Sequence, residues 1–72
     1  MTAVNIHLNG EAREFADGLT VEGLIATLAL DPARVAIELN HNVVRRNLWS
    51  TTILHDGDQV EIVHFVGGGA TG

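Results

Sequence analysis

One short stretch of this chain carries its apolar residues at helical spacing, and it dictates what the rest must build. Val21, Leu24, Ile25 and Leu28 stand at i, i+3, i+4 and i+7, a single buried stripe. Thr20 sits where an N-cap belongs, and Glu22 falls in the first turn, where the helix dipole favours an anion. Gly23 weakens such a helix by about 1 kcal/mol relative to alanine, so packing has to hold it. Asp31-Pro32 closes the pattern, because a residue before proline avoids the helical region. A helix with one apolar stripe needs a sheet beneath it.

The remaining pattern supplies one. Residues 3–8, AVNIHL, alternate with Val4, Ile6 and Leu8 on one face. Asn9-Gly10 follows, a dipeptide suited to a tight hairpin, and residues 11–16 return as a second strand. Residues 35–39, VAIEL, read as a third strand, Asn40-His41-Asn42 as a turn and Val43-Val44 as a short fourth strand. Residues 45–55 are irregular, with Leu48, Trp49, Ile53 and Leu54 expected to fold inward. Asp56-Gly57-Asp58 is a turn and residues 60–66 form the last strand. The order β-β-α-β-β-β predicts an α+β domain over residues 1–66 with the helix laid across one sheet face, followed by a glycine-rich tail over 67–72.

Composition narrows the function. A chain of 72 residues buries roughly 60% of its unfolded surface, too little to spare core for a deep cofactor pocket. The formal charge is −5 and there is no lysine, so no clustered cations track a nucleic-acid backbone. There is no cysteine, which removes disulfides and thiolate chemistry of the chain's own. No segment approaches the roughly 20 apolar residues of a membrane span, and MTAVNIHLNG lacks the basic start and apolar run of a signal peptide. A cytoplasmic protein is expected.

The last strand is apolar on both faces. In phase, Val60 and Ile62 meet the helix, leaving Glu61, Val63 and Phe65 opposite, where a half-solvated strand normally shows polar residues. Either the strand is covered on both sides, or its apolar residues are ordinary surface ones, or Val63 and Phe65 begin a protein-docking patch that leads into the tail. Val66-Gly67-Gly68-Gly69 lacks bulk after Val66, so it can thread a narrow channel and leave a terminal carboxylate open to attack. Activation of that carboxylate belongs to a partner enzyme, since the chain has no P-loop and no catalytic cluster.

The chain up to about Gly69 resembles the small ubiquitin-like sulfur carriers, and most closely the ThiS family of thiamine biosynthesis. The resemblance rests on the Asn9-Gly10 hairpin, Thr20-Val21 entering the helix, AIELN (36–40), VVRRNLW (43–49), LHDGDQVEIV (54–63) and VGGG (66–69). It implies a ubiquitin-like β-grasp fold, a mixed four- to five-stranded sheet with one helix packed across one face. It also implies a non-catalytic carrier whose C-terminal glycine becomes a thiocarboxylate. A ThiF-like adenylyltransferase would use ATP and Mg²⁺ to activate that glycine, a sulfur donor enzyme would supply the sulfur, and a ThiG-like thiazole synthase would receive it. The chain itself would bind no cofactor.

By position Gly68 and Gly69 match the family's terminal pair, which makes Gly69 the modified residue, with Gly68 and Gly72 as alternatives. Val63, Phe65, Val66, Gly67, Gly68 and Arg46 would contact partners, Arg46 matching the family's arginine before the tryptophan. Ala70-Thr71-Gly72 departs from the family pattern: the tail is trimmed to Gly69, or Gly72 is used, or the chain is inactive as written. The same tail also fits a ubiquitin-like modifier joined to lysines of other proteins, or a molybdopterin-type carrier.

Other residues attract plainer readings. His7, His41, His55 and His64 are too widely spaced to hold zinc and are expected at the surface. Glu11 and Glu14 fit a solvated face, and Trp49 the core. Arg45-Arg46 fits either docking to an acidic partner or a solvated, ion-paired loop.

Overall fold

The computed structural model describes residues 2–65. Five strands form one mixed sheet: β1 (Ala3–Leu8), β2 (Glu11–Ala16), β3 (Val35–Leu39), β4 (Asn42–Val43) and β5 (Gln59–His64), in the order β2-β1-β5-β3-β4. The last strand lies in the middle, parallel to β1 and antiparallel to β3. One helix, α1 (Val21–Thr27), supplies the second layer. The α+β class, the mixed sheet and the single helix match the expectation. The expectations for Val66, Gly67, Gly68, Gly69 and Gly72, and for the boundary of the tail, lie outside the described residues.

The core sits between helix and sheet. Ile6, Val21, Leu24, Val35, Ile37, Leu54 and Val60 are fully buried there. The predicted stripe of α1 is therefore the buried one, with Leu28 packed at its margin. The helix starts as its sequence requires: the Gly23 N–H donates to Thr20 Oγ1 at 3.0 Å. The Val21 and Glu22 N–H groups donate to the carbonyls of Thr52 and Trp49, at 2.9 and 3.0 Å. The irregular segment 45–55 thus satisfies two of the donors that every helix start leaves open.

Two expectations need correction. The helix ends before Asp31-Pro32, because Ala29 adopts the left-handed region (φ 57°). The Leu30 N–H then returns to Ile25 O and the Ala29 N–H to Ala26 O, a Schellman closure with alanine where glycine is usual. Leu48 and Ile53 do not fold inward, each remaining 48% exposed, whereas Trp49 and Leu54 are buried. A turn of 3₁₀ helix at Arg46–Leu48 points successive side chains in different directions, so only part of the segment can reach the core.

Candidate functional site

Strand β5 is the last described strand before the glycine-rich residues 67–72 of the sequence, so the contacts that fix β5 fix where the described chain ends. Both neighbouring strands end in two-residue hairpins of type I′. In the first, Asn9 and Gly10 have φ of 50° and 85°; in the second, Asn40 and His41 have φ of 50° and 70°. Asparagine tolerates this conformation, and here its side chain also reaches across to β5.

The Ile62 N–H donates to Asn9 Oδ1 at 2.8 Å, while Asn9 Nδ2 donates back to Ile62 O at 3.4 Å. On the other side the Gln59 N–H donates to Asn40 Oδ1 at 2.9 Å, and the Asn40 N–H donates to Gln59 O at 2.7 Å. Each asparagine therefore continues a strand ladder past the point where its own strand turns away. The Asp58 carboxylate accepts from Asn40 Nδ2 at 3.1 Å and from the His55 N–H at 2.7 Å, tying the turn before β5 to the second hairpin.

At its far end β5 is fixed once more: the Phe65 N–H donates to Arg34 O at 2.9 Å. The support beneath that contact is Arg46. Its guanidinium donates to the carbonyls of Pro32 and Val35, on either side of Arg34, the second at 3.2 Å. The same group lies 5.0 Å from the centre of the Trp49 ring, and Trp49 Nε1 donates to Val44 O at 2.9 Å. Arg46 thus braces the segment on which Phe65 rests.

Val63 and Phe65 are each half exposed, on the face away from α1. Pairing sets Val63 opposite Ala36 and Glu61 opposite Glu38. Glu38 in turn faces Val43, which is 70% exposed. The two-faced character of the last strand is thus not answered by a second covering layer among the described residues. Arg46 does not join this face through its recorded bonds, which all go to backbone carbonyls and to Trp49.

Clefts mark the surface of the described residues. One, of about 250 Å³, is lined by His7, Gly10, Gln59, Val60 and Glu61; another, of about 320 Å³, by Glu22, Ile25, Ala26, Leu30, Pro32 and Trp49. His7, His41, His55 and His64 are all exposed, and no three His, Cys, Asp or Glu residues among the described ones gather as a metal site. No helix of the described residues is long and apolar enough to cross a membrane.

Sequence reasoning put Val63 and Phe65 on the face away from the helix and Trp49 in the core, as the structure has them, but missed the two asparagine brackets and the Glu38–Glu61 pairing. Asn9 and Asn40 carried a signal, since each opens a hairpin turn. The partner strand they grip lies far along the sequence and leaves no local trace.

Comparison with known proteins places these features in context. The model of the ThiS family matches residues 6–69. A protein named sulfur carrier protein ThiS from Escherichia coli is 33% identical over 66 residues, covering 92% of this chain and 100% of that protein. A thiazole synthase from Magnetococcus marinus is 46% identical over 66 residues, but the match spans 20% of its length. The crystal structure of a thiamine biosynthesis protein, ThiS, from Geobacter metallireducens superposes with a TM-score of 0.80 at 35% identity, covering 92% of this chain and 100% of that one.

Proposed function

Because the chain belongs to the ThiS family, we propose that it is a sulfur carrier, loaded at a glycine of its tail and unloaded by the enzyme that builds a thiazole ring. The observation that carries this reading is the end-to-end match to a named sulfur carrier, all of whose length the chain covers. The family match stops at Gly69, which favours that residue over Gly68 and Gly72 as the working glycine.

The chemistry follows from what a carboxylate lacks. At neutral pH it is a poor electrophile, so a partner adenylyltransferase of the ThiF type first makes it one. A carboxylate oxygen attacks the α-phosphorus of ATP, held with Mg²⁺ by that partner, and pyrophosphate leaves. Sulfide delivered by a donor enzyme then attacks the acyl carbon, and AMP departs with the original oxygen. The product is a thiocarboxylate, and its sulfur is transferred to the thiazole precursor of thiamine.

The chain's own share is positional. Strand β5, held on both sides, delivers the tail, and the face bearing Val63 and Phe65 gives a partner something to hold. A thiazole synthase of the ThiG type is the natural recipient, since the M. marinus protein of that name contains a segment similar to this chain within its own polypeptide.

The test is direct. The chain ending at Gly69 is incubated with a ThiF-like enzyme, ATP, Mg²⁺ and a sulfide source, then weighed intact. Exchange of one terminal oxygen for sulfur is expected. A mass that never changes, with neither an AMP adduct nor the exchange, overturns the reading.

A further inference from the structure

The side chain that grips β5 from the first hairpin is also the most chemically labile of its kind in the chain. Of the asparagines at positions 5, 9, 40, 42 and 47, Asn9 alone is followed by glycine. The backbone nitrogen after an asparagine can attack the side-chain carbonyl carbon, Cγ, and close a five-membered ring. Glycine leaves that approach open because it has no Cβ, whereas Ile6, His41, Val43 and Leu48 each crowd it.

The surroundings of Gly10 favour the reaction. Asn9 and Gly10 are both exposed, and a Cβ placed on Gly10 would have no neighbour within 4 Å. Among the described residues the Gly10 N–H meets no backbone acceptor, so base can reach its proton. The grip on β5 opposes the reaction. Asn9 Oδ1 accepts from the Ile62 N–H at 2.8 Å, Nδ2 donates to Ile62 O at 3.4 Å, and the Asn9 N–H donates to Val60 O at 2.9 Å.

We propose that Asn9 is a site of spontaneous deamidation, gated by release of its carboxamide from Ile62, and that the reaction removes one of the two brackets on β5. Once the grip opens, a base takes the Gly10 amide proton and the nitrogen bonds to Cγ. The bond from Cγ to Nδ2 breaks, and ammonia leaves with a proton returned from the base. Water then adds to the ring. Addition at Cγ gives aspartate; addition at the main-chain carbonyl gives isoaspartate, with the chain running through the side chain. The sum is asparagine plus water giving acid plus ammonia, with no redox step.

Both products lose the grip. Aspartate sets an oxygen against Ile62 O where Nδ2 stood, and isoaspartate adds a main-chain carbon to a two-residue turn. Asn40 makes the matching bracket at Gln59 but precedes His41, so that bracket persists. None of this depends on what the chain carries.

The experiment ages the full chain at neutral and mildly alkaline pH, either folded or unfolded in urea, and maps its peptides by mass. Replacing amide by acid raises the mass, whereas ring closure at Asp17-Gly18 or Asp56-Gly57 only isomerises, so the gain reports asparagine alone. The folded chain should convert at Asn9 about tenfold to a hundredfold more slowly than the unfolded one, because only the opened population reacts. The rate should rise with pH, with Asn40 intact over the same period. Urea below the unfolding transition should speed conversion in step with exchange of the Ile62 amide hydrogen. Asn9→Asp, which builds one product directly, should exchange that hydrogen faster than the parent.

Equal rates in the folded and unfolded chains overturn the proposal. So does a folded chain still intact at Asn9 after roughly a thousand half-times of the unfolded reaction, far beyond what local opening of a surface turn imposes. Conversion at Asn40 as fast as at Asn9, a rate indifferent to mild urea, or an Asn9→Asp chain with unchanged exchange at Ile62 each overturn it as well.

Discussion

The carboxamide of Asn9 grips the backbone of Ile62 from both ends, accepting its N–H at 2.8 Å and donating to its carbonyl at 3.4 Å. A residue chosen for a turn is thereby also a rung of the sheet, and the two roles separate under mutation. Asn9→Gly keeps the positive φ but removes the grip, and should lower stability by about 1 kcal/mol. Hydrogen exchange should locate the loss, with the Ile62 amide exchanging faster in the variant. Asn40→Gly is expected to do the same at Gln59, whose N–H loses Asn40 Oδ1.

Two positions carry side chains where the backbone favours glycine. His41 has φ 70° and Ala29 has φ 57°. The left-handed region disfavours a residue with a Cβ by roughly 1–2 kcal/mol, while glycine gives part of that back through unfolded-state entropy. Ala29→Gly and His41→Gly should each raise stability by about 0.5–1 kcal/mol, read as a higher urea midpoint at unchanged slope.

Trp49 and Arg46 work as a unit. Trp49→Phe keeps an aromatic ring, though a smaller one, and leaves Val44 O without its donor, and should lower stability by about 1–3 kcal/mol in denaturation followed by circular dichroism. Arg46→Lys keeps the charge but loses the fork that spans two carbonyls, so it should rescue less than half of the destabilisation of Arg46→Ala.

Val63 and Phe65 should behave in the opposite way. Each is half exposed, so Val63→Ala with Phe65→Ala should shift stability by no more than about 1 kcal/mol. Sulfur loading or delivery should drop by tenfold or more if they anchor a partner. Paired thermal melts and intact-mass measurements separate the two effects.

Much of the architecture was legible because it is written locally. Asn9-Gly10 announced its turn, Thr20 its helix, and the alternation in residues 3–8 its buried face, each within a few residues of the feature. The helix end was misplaced because the decisive event is a backbone choice at Ala29, a residue with no reputation for the left-handed region. Leu48 and Ile53 were placed inward on hydrophobicity alone, which says nothing about the direction set by the 3₁₀ turn that holds Leu48 or by the bridge that pairs Ile53 with Thr20. The brackets at Asn9 and Asn40, and the meeting of Glu38 with Glu61, depend on β5 lying between β1 and β3. That adjacency joins segments far apart in the chain, and no local pattern encodes it.

The place of β5 also has a mechanical meaning. If a partner pulls on the residues that follow β5, as the carrier reading expects, the strand has a hydrogen-bonded neighbour on each side to resist it. A pull along it loads both ladders lengthwise, so their bonds resist together instead of opening one after another as they would at an edge. Phe65, tied to Arg34, takes the first of the strain. The fold is in this sense a grip, able to let its last residues be handled without being unravelled by the handling.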